Sequence, residues 1–227
     1  EGRFLRKWGA EGDGDGEFSA PDGIAVDGGE KRIYVVDWGN HRIQVFDLEG
    51  RFLREWGEYG GGAGEFDMPC AIAVNGKGNV YVADTRNHRI QAFCGSIPRG
   101  SSHQDDQRGQ SSPPPTRLID SETPPVFLNE WGEYGDGDGE FNGPCGIAVA
   151  DEGYVYAADG LNHRIQVFDL EGRFLREWGE YGGGDGEFYM PTGIALDGRG
   201  NVYVADAGNQ RIQVFDPEGR TLQEWGN

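Results

Sequence analysis

The chain has 227 residues, of which 40 are glycine, and its 39 acidic and 20 basic side chains give a formal net charge of −19. This length suits one domain of modest size, and the glycine content suits a fold with frequent tight turns. No apolar run approaches the roughly 20 residues that a transmembrane helix needs, so membrane insertion is not expected. An acidic surface repels phosphate backbones, so nucleic acid is not expected as a partner.

Residues 1–9, EGRFLRKWG, match the segment that ends each later part of the chain, such as GRFLREWG at 50–57. They predict an outer strand at the start of the chain, although the three strands that should precede it are absent. The chain also ends on such a strand, at 220–225. With a first residue that is not Met and no signal peptide, this surplus strand predicts a segment of a longer array.

The spacing of the Trp-Gly pairs shows that the chain is built of repeats. The pairs begin at Trp8, Trp56, Trp131, Trp178 and Trp225, which gives spacings of 48, 75, 47 and 47. The Asp that ends YVVD, YVAD, YAAD and YVAD falls at 37, 84, 159 and 206, which gives 47, 75 and 47. The two markers agree on four repeats of about 47 residues, with 28 extra residues in the second.

Each repeat contains four short runs of β-forming residues separated by turn residues. In the last repeat the runs are GIALD, NVYVAD, RIQVFD and RTLQEW. The glycine of DLEG, at Gly50 and Gly172, suits a type I turn with a bulge, which needs positive φ. The pattern predicts one antiparallel four-stranded sheet for each repeat.

The predicted sheets are apolar on both faces, as in IYVV at 33–36 and VYV at 80–82. A sheet solvated on one side would alternate instead. Sheets stacked face to face about an axis bury both faces, so the chain is predicted to be all-β, a β-propeller of four-stranded blades. The blades would span about 10–57, 58–132, 133–179 and 180–227.

The second repeat carries a predicted insertion at 95–125, between its third and fourth strands. This segment is rich in Ser, Pro, Gln and Arg and has no periodicity. Its composition predicts a disordered loop. Because lengthening a loop costs only ~0.6 kcal/mol for each doubling, the blade should tolerate it.

A family resemblance appears at the repeated motifs. GEF, PxGIAVD, VYVAD and NHRIQVFD follow one another and resemble the NHL repeat over all of the chain except roughly 95–125. The Asn-His pair of that family stands at Asn40-His41, Asn87-His88 and Asn162-His163, and the fourth repeat departs with Asn209-Gln210. The resemblance implies a propeller that commonly has six blades. The four blades here are either an open arc of a larger propeller or a closed four-bladed ring, and an arc would self-associate through its exposed end blades.

Candidate binding residues lie in loops that a propeller places on one face, the top face. Function most often resides on such loops. Trp38 is the strongest candidate, because an exposed Trp supplies a large contact area at low entropic cost. The candidate ligand-binding residues are Trp38, Asn40, His41, Thr85, Arg86, Asn87, His88, Leu161, Asn162, His163, Asn209 and Gln210.

A structural interpretation competes for the repeated polar residues of these loops, because every blade carries them. It predicts that four aspartates pair with four arginines within the same hairpins, namely Asp37 with Arg42, Asp84 with Arg89, Asp159 with Arg164 and Asp206 with Arg211. The positions that vary between repeats are then the better binding candidates. These are Trp38-Gly39, Thr85-Arg86, Gly160-Leu161 and Ala207-Gly208.

Metal chemistry is the main alternative from a different class. The loops DGDGE at 13–17 and 136–140 resemble calcium loops but lack the full twelve-residue pattern. Cys70, Cys94 and Cys145 are an odd number without CxxC spacing, and they predict buried packing residues rather than a disulfide or a zinc site. Their use leaves the compartment open. Zinc catalysis needs three convergent ligands, and the repeat-related histidines do not suggest them.

The sequence therefore predicts a non-enzymatic interaction platform that binds a protein or peptide ligand, with no cofactor, metal or catalytic residue. One alternative is a metal-dependent lyase or hydrolase of the propeller type. Another follows from ubiquitin-ligase members of the resembling family. No RING or B-box cysteines are present, so ligase activity would lie in a neighbouring domain.

Overall fold

A computed structural model describes residues 2–95 and 125–226. Two short strands, β1 (Ala10–Glu11) and β2 (Glu17–Phe18), precede blade one, which is formed by β3 (Pro21–Asp27), β4 (Arg32–Asp37), β5 (Arg42–Asp47) and β6 (Phe52–Trp56). Blade two is formed by β7 (Pro69–Val74), β8 (Asn79–Asp84), β9 (Arg89–Cys94) and β10 (Val126–Trp131). Blade three is formed by β11 (Pro144–Val149), β12 (Tyr154–Asp159), β13 (Arg164–Asp169) and β14 (Phe174–Trp178). Blade four is formed by β15 (Pro191–Leu196), β16 (Val202–Asp206), β17 (Arg211–Phe215) and β18 (Thr221–Gly226).

Each blade is an antiparallel sheet whose four strands pair in chain order. The inner strands of successive blades lie beside one another in the order β3, β7, β11 and β15. The predicted all-β fold, with four four-stranded blades in a β-propeller arrangement, is confirmed. The second and third strands of each blade are joined by a 3-10 turn, and the four turns are Trp38–Asn40, Thr85–Asn87, Gly160–Asn162 and Ala207–Asn209.

The outer hairpins form as the turn residues predict. Gly50 has a φ of 81° and donates its N–H to Asp47 O at 3.0 Å. The Asp47 carboxylate accepts the N–H groups of Glu49 and Arg51, both at 2.9 Å. The pairing of β5 with β6 shifts register at Phe46, as a bulge requires.

The core consists of aromatic and aliphatic layers between neighbouring blades. The face of a blade toward the following blade is called its trailing face, and the opposite face its leading face. Between blades one and two, Tyr34, Ile43 and Trp56 of the trailing face pack with Phe66 and Phe93 of the leading face. The Trp56 and Phe93 rings lie 5.6 Å apart between centroids. The same Trp-to-Phe contact recurs at the next two interfaces, as Trp131 with Phe168 at 5.8 Å and Trp178 with Phe215 at 5.6 Å.

Residues 2–9, which we call the leader, are not a β-strand, contrary to the outer strand expected there. A strand needs a hydrogen-bonded neighbour, and no strand in the described part of the chain pairs with this segment. The leader nevertheless packs against blade one at the position where the outer strand of a preceding blade would lie. Trp8 lies 6.1 Å from Phe46 between ring centroids, and Arg6 donates to Leu48 O at 3.3 Å.

The two ends of the blade row are less covered than its interior. On the leading face of blade one, Ile24 and Val26 are each 60% exposed, whereas the equivalent Ile72 of blade two is 5% exposed. On the trailing face of blade four, Trp225 is 46% exposed, whereas Trp56 of blade one is 7% exposed. The blade order fits both the arc and the ring, and the exposed ends favour the arc.

The insertion predicted at 95–125 lies outside the described residues except for its two end positions. Its flanks agree with the expected placement, because Val126 of β10 pairs with Cys94 of β9 within blade two. Within the described ranges, no helix has the length and apolar character needed to span a bilayer.

Candidate binding face

A buried aspartate organises the loops of the top face in every blade. In blade three, Asp159 ends β12, and its Oδ2 accepts hydrogen bonds from Asn162 Nδ2 at 2.9 Å, Arg164 Nε at 2.8 Å and Gln166 Nε2 at 3.1 Å. Its Oδ1 accepts the N–H of Asn142 at 2.7 Å, in the loop that enters the blade. The aspartate–arginine pairing predicted as a structural role is thus confirmed. The other blades repeat it with Asp37–Arg42, Asp84–Arg89 and Asp206–Arg211, each at 2.8 Å.

The arginine of this pair uses all five of its N–H donors. Besides Asp159, Arg164 donates from Nη1 to Asp136 O at 2.8 Å and Glu177 Oε2 at 2.6 Å. It donates from Nη2 to Gly137 O at 2.8 Å and Glu140 O at 2.9 Å. The carbonyls of the glycine-rich loop therefore surround a guanidinium.

This geometry explains the resemblance of the acidic loops to calcium sites. A calcium ion is held by carbonyl and carboxylate oxygens on a tight turn. Here those carbonyls bind Arg164, and the Glu140 carboxylate turns back to accept the N–H of Gly137 at 2.9 Å. Glu17 accepts the N–H of Gly14 at 3.0 Å in the first loop. Among the described residues, no group of three or more His, Cys, Asp or Glu has metal-binding geometry.

The histidines of the Asn-His pairs join neighbouring blades. His88 adopts a left-handed conformation with a φ of 53°, and its Nδ1 accepts the N–H of Gly143 at 3.2 Å, at the entrance to the next blade. His41 and His163 accept the N–H groups of Met68 and Met190 in the same way, at 3.1 and 3.2 Å. Because Nδ1 accepts, the ring proton lies on Nε2 in the neutral form.

A row of exposed tyrosines stands on these histidines, and the sequence analysis did not single it out. Tyr59, Tyr134 and Tyr181 are 70%, 70% and 69% exposed. Their ring centroids lie 5.0, 4.9 and 5.0 Å from those of the preceding blade's histidine. The signal that could have shown this row is a tyrosine repeated at the start of three of the four glycine-rich loops, where no core position is available.

The predicted binding residues fall into four groups, of which the histidines described above are one. The asparagines are engaged within the protein, since the side chains of Asn40, Asn87, Asn162 and Asn209 each donate to the blade aspartate and to a glycine carbonyl of the entering loop. Arg86, Leu161 and Gln210 are exposed on the top face, and Leu161 is 51% exposed.

Two further candidates face the following blade rather than solvent. Trp38 is half-buried, whereas the expectation assumed an exposed ring. Its side chain lies beside the Cys70 thiol of blade two. Thr85 donates from Oγ1 to Pro144 O at 2.7 Å in blade three. The first position of the 3-10 turn in blades one and two therefore contributes to contact with the following blade, and a role in ligand binding stays a prediction.

The cysteines are half-buried: Cys70 and Cys145 lie in the inner strands β7 and β11, and Cys94 ends β9. All three lie in the described part of the chain and none forms a disulfide. Burial raises the pKa of Cys145 to about 12, and the neighbouring Cys70 and Asp159 act in the same direction. The Cys145 thiol donates to Pro191 O at 3.2 Å. Burial also raises the pKa of the Cys70 thiol.

The fold and this repeated network define a repeat protein of the β-propeller class. Four segments match the model of the NHL repeat, at residues 18–46, 66–93, 141–168 and 188–215. The chain belongs to the NHL repeat family.

Two curated relatives share part of the sequence. The chain is 36% identical over 85 residues to the B-box type zinc finger protein ncl-1 of Caenorhabditis elegans, which covers 37% of this chain and 10% of that protein. It is 45% identical over 49 residues to the protein brain tumor of Drosophila melanogaster, which covers 22% of this chain and 5% of that protein. The chain thus matches a tenth or less of these proteins.

Among solved structures, a streptogramin B lyase is similar in fold, with a TM-score of 0.63 and 15% sequence identity. The superposition covers 92% of this chain and 55% of the lyase. At this identity, the likeness concerns the fold alone.

The buried arginine can be compared with an exposed one in the same blade. Arg164→Met removes a guanidinium that is 7% exposed and leaves the Asp159 carboxylate buried without its charge partner. Removing one member of a buried pair costs about 3–5 kcal/mol, so the urea midpoint of unfolding should fall clearly. Arg173→Met removes a side chain that is 76% exposed, and it should leave the midpoint nearly unchanged. Equal midpoints for the two variants would contradict the structural role of the network.

The raised pKa of Cys145 predicts slow chemical modification. At about pH 8, a thiol with a pKa of about 12 has roughly a thousandfold less thiolate than an ordinary cysteine. Alkylation of Cys145 by iodoacetamide should therefore be slow in the folded chain and ordinary in urea. Peptide mass spectrometry over time measures both rates. Rapid alkylation in the folded chain would show that the thiol is accessible.

Proposed function

We propose that this protein is a non-enzymatic interaction platform whose top face binds a protein or peptide ligand. The observation that carries the proposal is the row formed by Tyr59, Tyr134 and Tyr181, each about two-thirds exposed or more and each set on a histidine. The exposed variable residues Arg86 and Leu161 lie in the 3-10 turns of the same face.

The chemistry of tyrosine suits recognition of a polypeptide. It offers a large amphipathic surface with only two side-chain torsions to fix, so little conformational entropy is lost on binding. The histidine contact supports each ring before any ligand arrives, because His88 is itself held by the N–H of Gly143 at 3.2 Å. A surface ordered in advance loses less free energy when it binds.

The charge of the face favours a basic ligand. An exposed glutamate precedes each tyrosine, at Glu58, Glu133 and Glu180. The whole chain has a formal net charge of −19. Such a surface attracts Lys- and Arg-containing segments and repels nucleic acid, and complementary charge raises association rates. Cations can also stack on the exposed tyrosine rings.

A metal-dependent lyase or hydrolase of the propeller type is the alternative function. The streptogramin B lyase, which is similar in fold, is an example of a lyase. It requires ligand atoms that converge on one ion. The Nδ1 atoms of His41, His88 and His163 accept backbone N–H groups of separate blades. A substrate-recognition role beside a ubiquitin-ligase domain is a further proposal, which rests on the family and on the name of the B-box relative.

The tyrosine row can be tested by differential peptide selection. A random peptide library is depleted on the triple variant Tyr59→Ser, Tyr134→Ser, Tyr181→Ser and then selected on the unmodified chain. Peptides rich in Lys, Arg and aromatic residues should be enriched, and calorimetry should show at least about tenfold weaker binding to the triple variant, since exposed aromatic contacts dominate interface free energy.

The matched control is Tyr154→Ser, which removes an exposed tyrosine at the start of β12, at the opposite end of that strand from the top-face turn. Binding to this variant should equal binding to the unmodified chain. Selected peptides that bind the triple variant as tightly as the unmodified chain would refute a binding role for the row. A urea titration of each variant checks that the fold is intact.

Metal titration separates the platform from the lyase. Calorimetry with calcium and zinc should show no binding tighter than about 1 mM, which corresponds to about 4 kcal/mol. The physical reason is that the loop carbonyls bind Arg42, Arg89, Arg164 and Arg211. A zinc or calcium affinity in the micromolar range would favour the enzymatic alternative.

A further inference from the structure

The two ends of the blade row carry the two halves of one interface. The leading face of blade one presents Ile24 and Val26, each 60% exposed. The trailing face of blade four presents Trp225, which is 46% exposed and stacks on Tyr203 at 5.8 Å between ring centroids. None of these residues belongs to the tyrosine row of the top face.

The interior of the chain shows what each face fits. At the interface of blades one and two, Tyr34, Ile43, Val45 and Trp56 form the trailing side. Blade four has identical residues at the equivalent positions, namely Tyr203, Ile212, Val214 and Trp225. Ile72, Val74 and Phe93 belong to the leading side, and Ile24, Val26 and Phe46 of blade one are identical to them. The exposed faces of blades one and four therefore carry the same residues, at these positions, as the faces that are buried between blades one and two.

We infer that the trailing face of blade four binds the leading face of blade one in a second copy of this chain. The contact is head-to-tail, because the two surfaces differ and lie at opposite ends of the molecule. Contacts of this kind close into a ring or continue as a filament. Two copies contribute eight blades, which is within the usual range of four to eight for closed propellers, so a closed dimer is expected.

The leader competes for part of this interface. Trp8 stands against Phe46 as Trp56 stands against Phe93. The turn glycines show the same equivalence, since a Cβ on Gly50 would lie 2.8 Å from Trp8 and one on Gly172 would lie 2.6 Å from Trp131. Trp225 of the second copy must take the place of Trp8. The leader covers the outer part of the face and leaves Ile24 and Val26 near the axis uncovered.

This competition predicts that truncating Trp8 changes the affinity between copies in the opposite direction from truncating a contact residue. If the leader must leave before a second copy binds, the apparent affinity is reduced by the fraction of molecules whose face is open. Trp8→Ala should therefore tighten association, by about tenfold if that fraction is about one tenth. A residue that contributed to the contact between copies would weaken association when truncated.

The experiment measures the molar mass by light scattering and sedimentation at chain concentrations from micromolar to millimolar. The unmodified chain should approach twice 24.9 kDa as concentration rises. Val26→Asp on the leading face and Trp225→Asp on the trailing face should each weaken association at least about tenfold, because each places a charge in an apolar contact. When the two variants are mixed, they should form a one-to-one complex, since each retains the face that the other has lost.

Leu161→Asp is the matched control, because it changes a residue that is 51% exposed on the top face. It should associate as the unmodified chain does. Circular dichroism and a urea midpoint confirm folding, and Ile24→Asp replaces Val26→Asp if the latter lowers the midpoint. The inference would be overturned by an unmodified chain that stays monomeric, by equal association of all variants, or by a mixture that fails to recombine.

Discussion

The buried aspartate–arginine pair of each blade is the interaction on which the rest of the structure depends. Asp159 is fully buried and Arg164 is nearly so, and each charge would be very costly without the other. The remaining donors of Arg164 bind loop carbonyls, so the protein supplies its own cation to a glycine-rich loop. Ordering glycine loses much backbone entropy, and these bonds offset that loss.

A series of contacts connects these ordered loops to the surface residues. The asparagine that binds the blade aspartate also binds the entering loop, as Asn87 does with Asp84 and Gly60. The next residue, His88, binds the following blade and supports Tyr134. The exposed rings are therefore displayed on a frame that is hydrogen-bonded from the core outward. Variable residues between these fixed points can differ without disturbing it.

The sequence predicted the parts of the structure that one repeat determines by itself. The period of about 47 residues and the strands that are apolar on both faces were sufficient for the blades, and the hairpin spacing was sufficient for the Asp37–Arg42 pair. Features that depend on a neighbour were harder to predict. Trp38 is half-buried beside Cys70 of the next blade, and the leader pairs with no strand among the described residues. The tyrosine row required knowing which loop residues reach solvent.

The end blades show how a repeat with two apolar faces differs from one with caps. In stacked arrays, each unit contacts only its neighbours, and a terminal unit with a polar outer face keeps the array soluble. Ile24 occupies the position of the buried Ile72 and is unchanged, and Trp225 likewise repeats Trp56. On the leading face of blade one, the leader packs on Phe46 but leaves Ile24 and Val26 exposed. The composition of both ends is therefore that of an interface and not that of a cap.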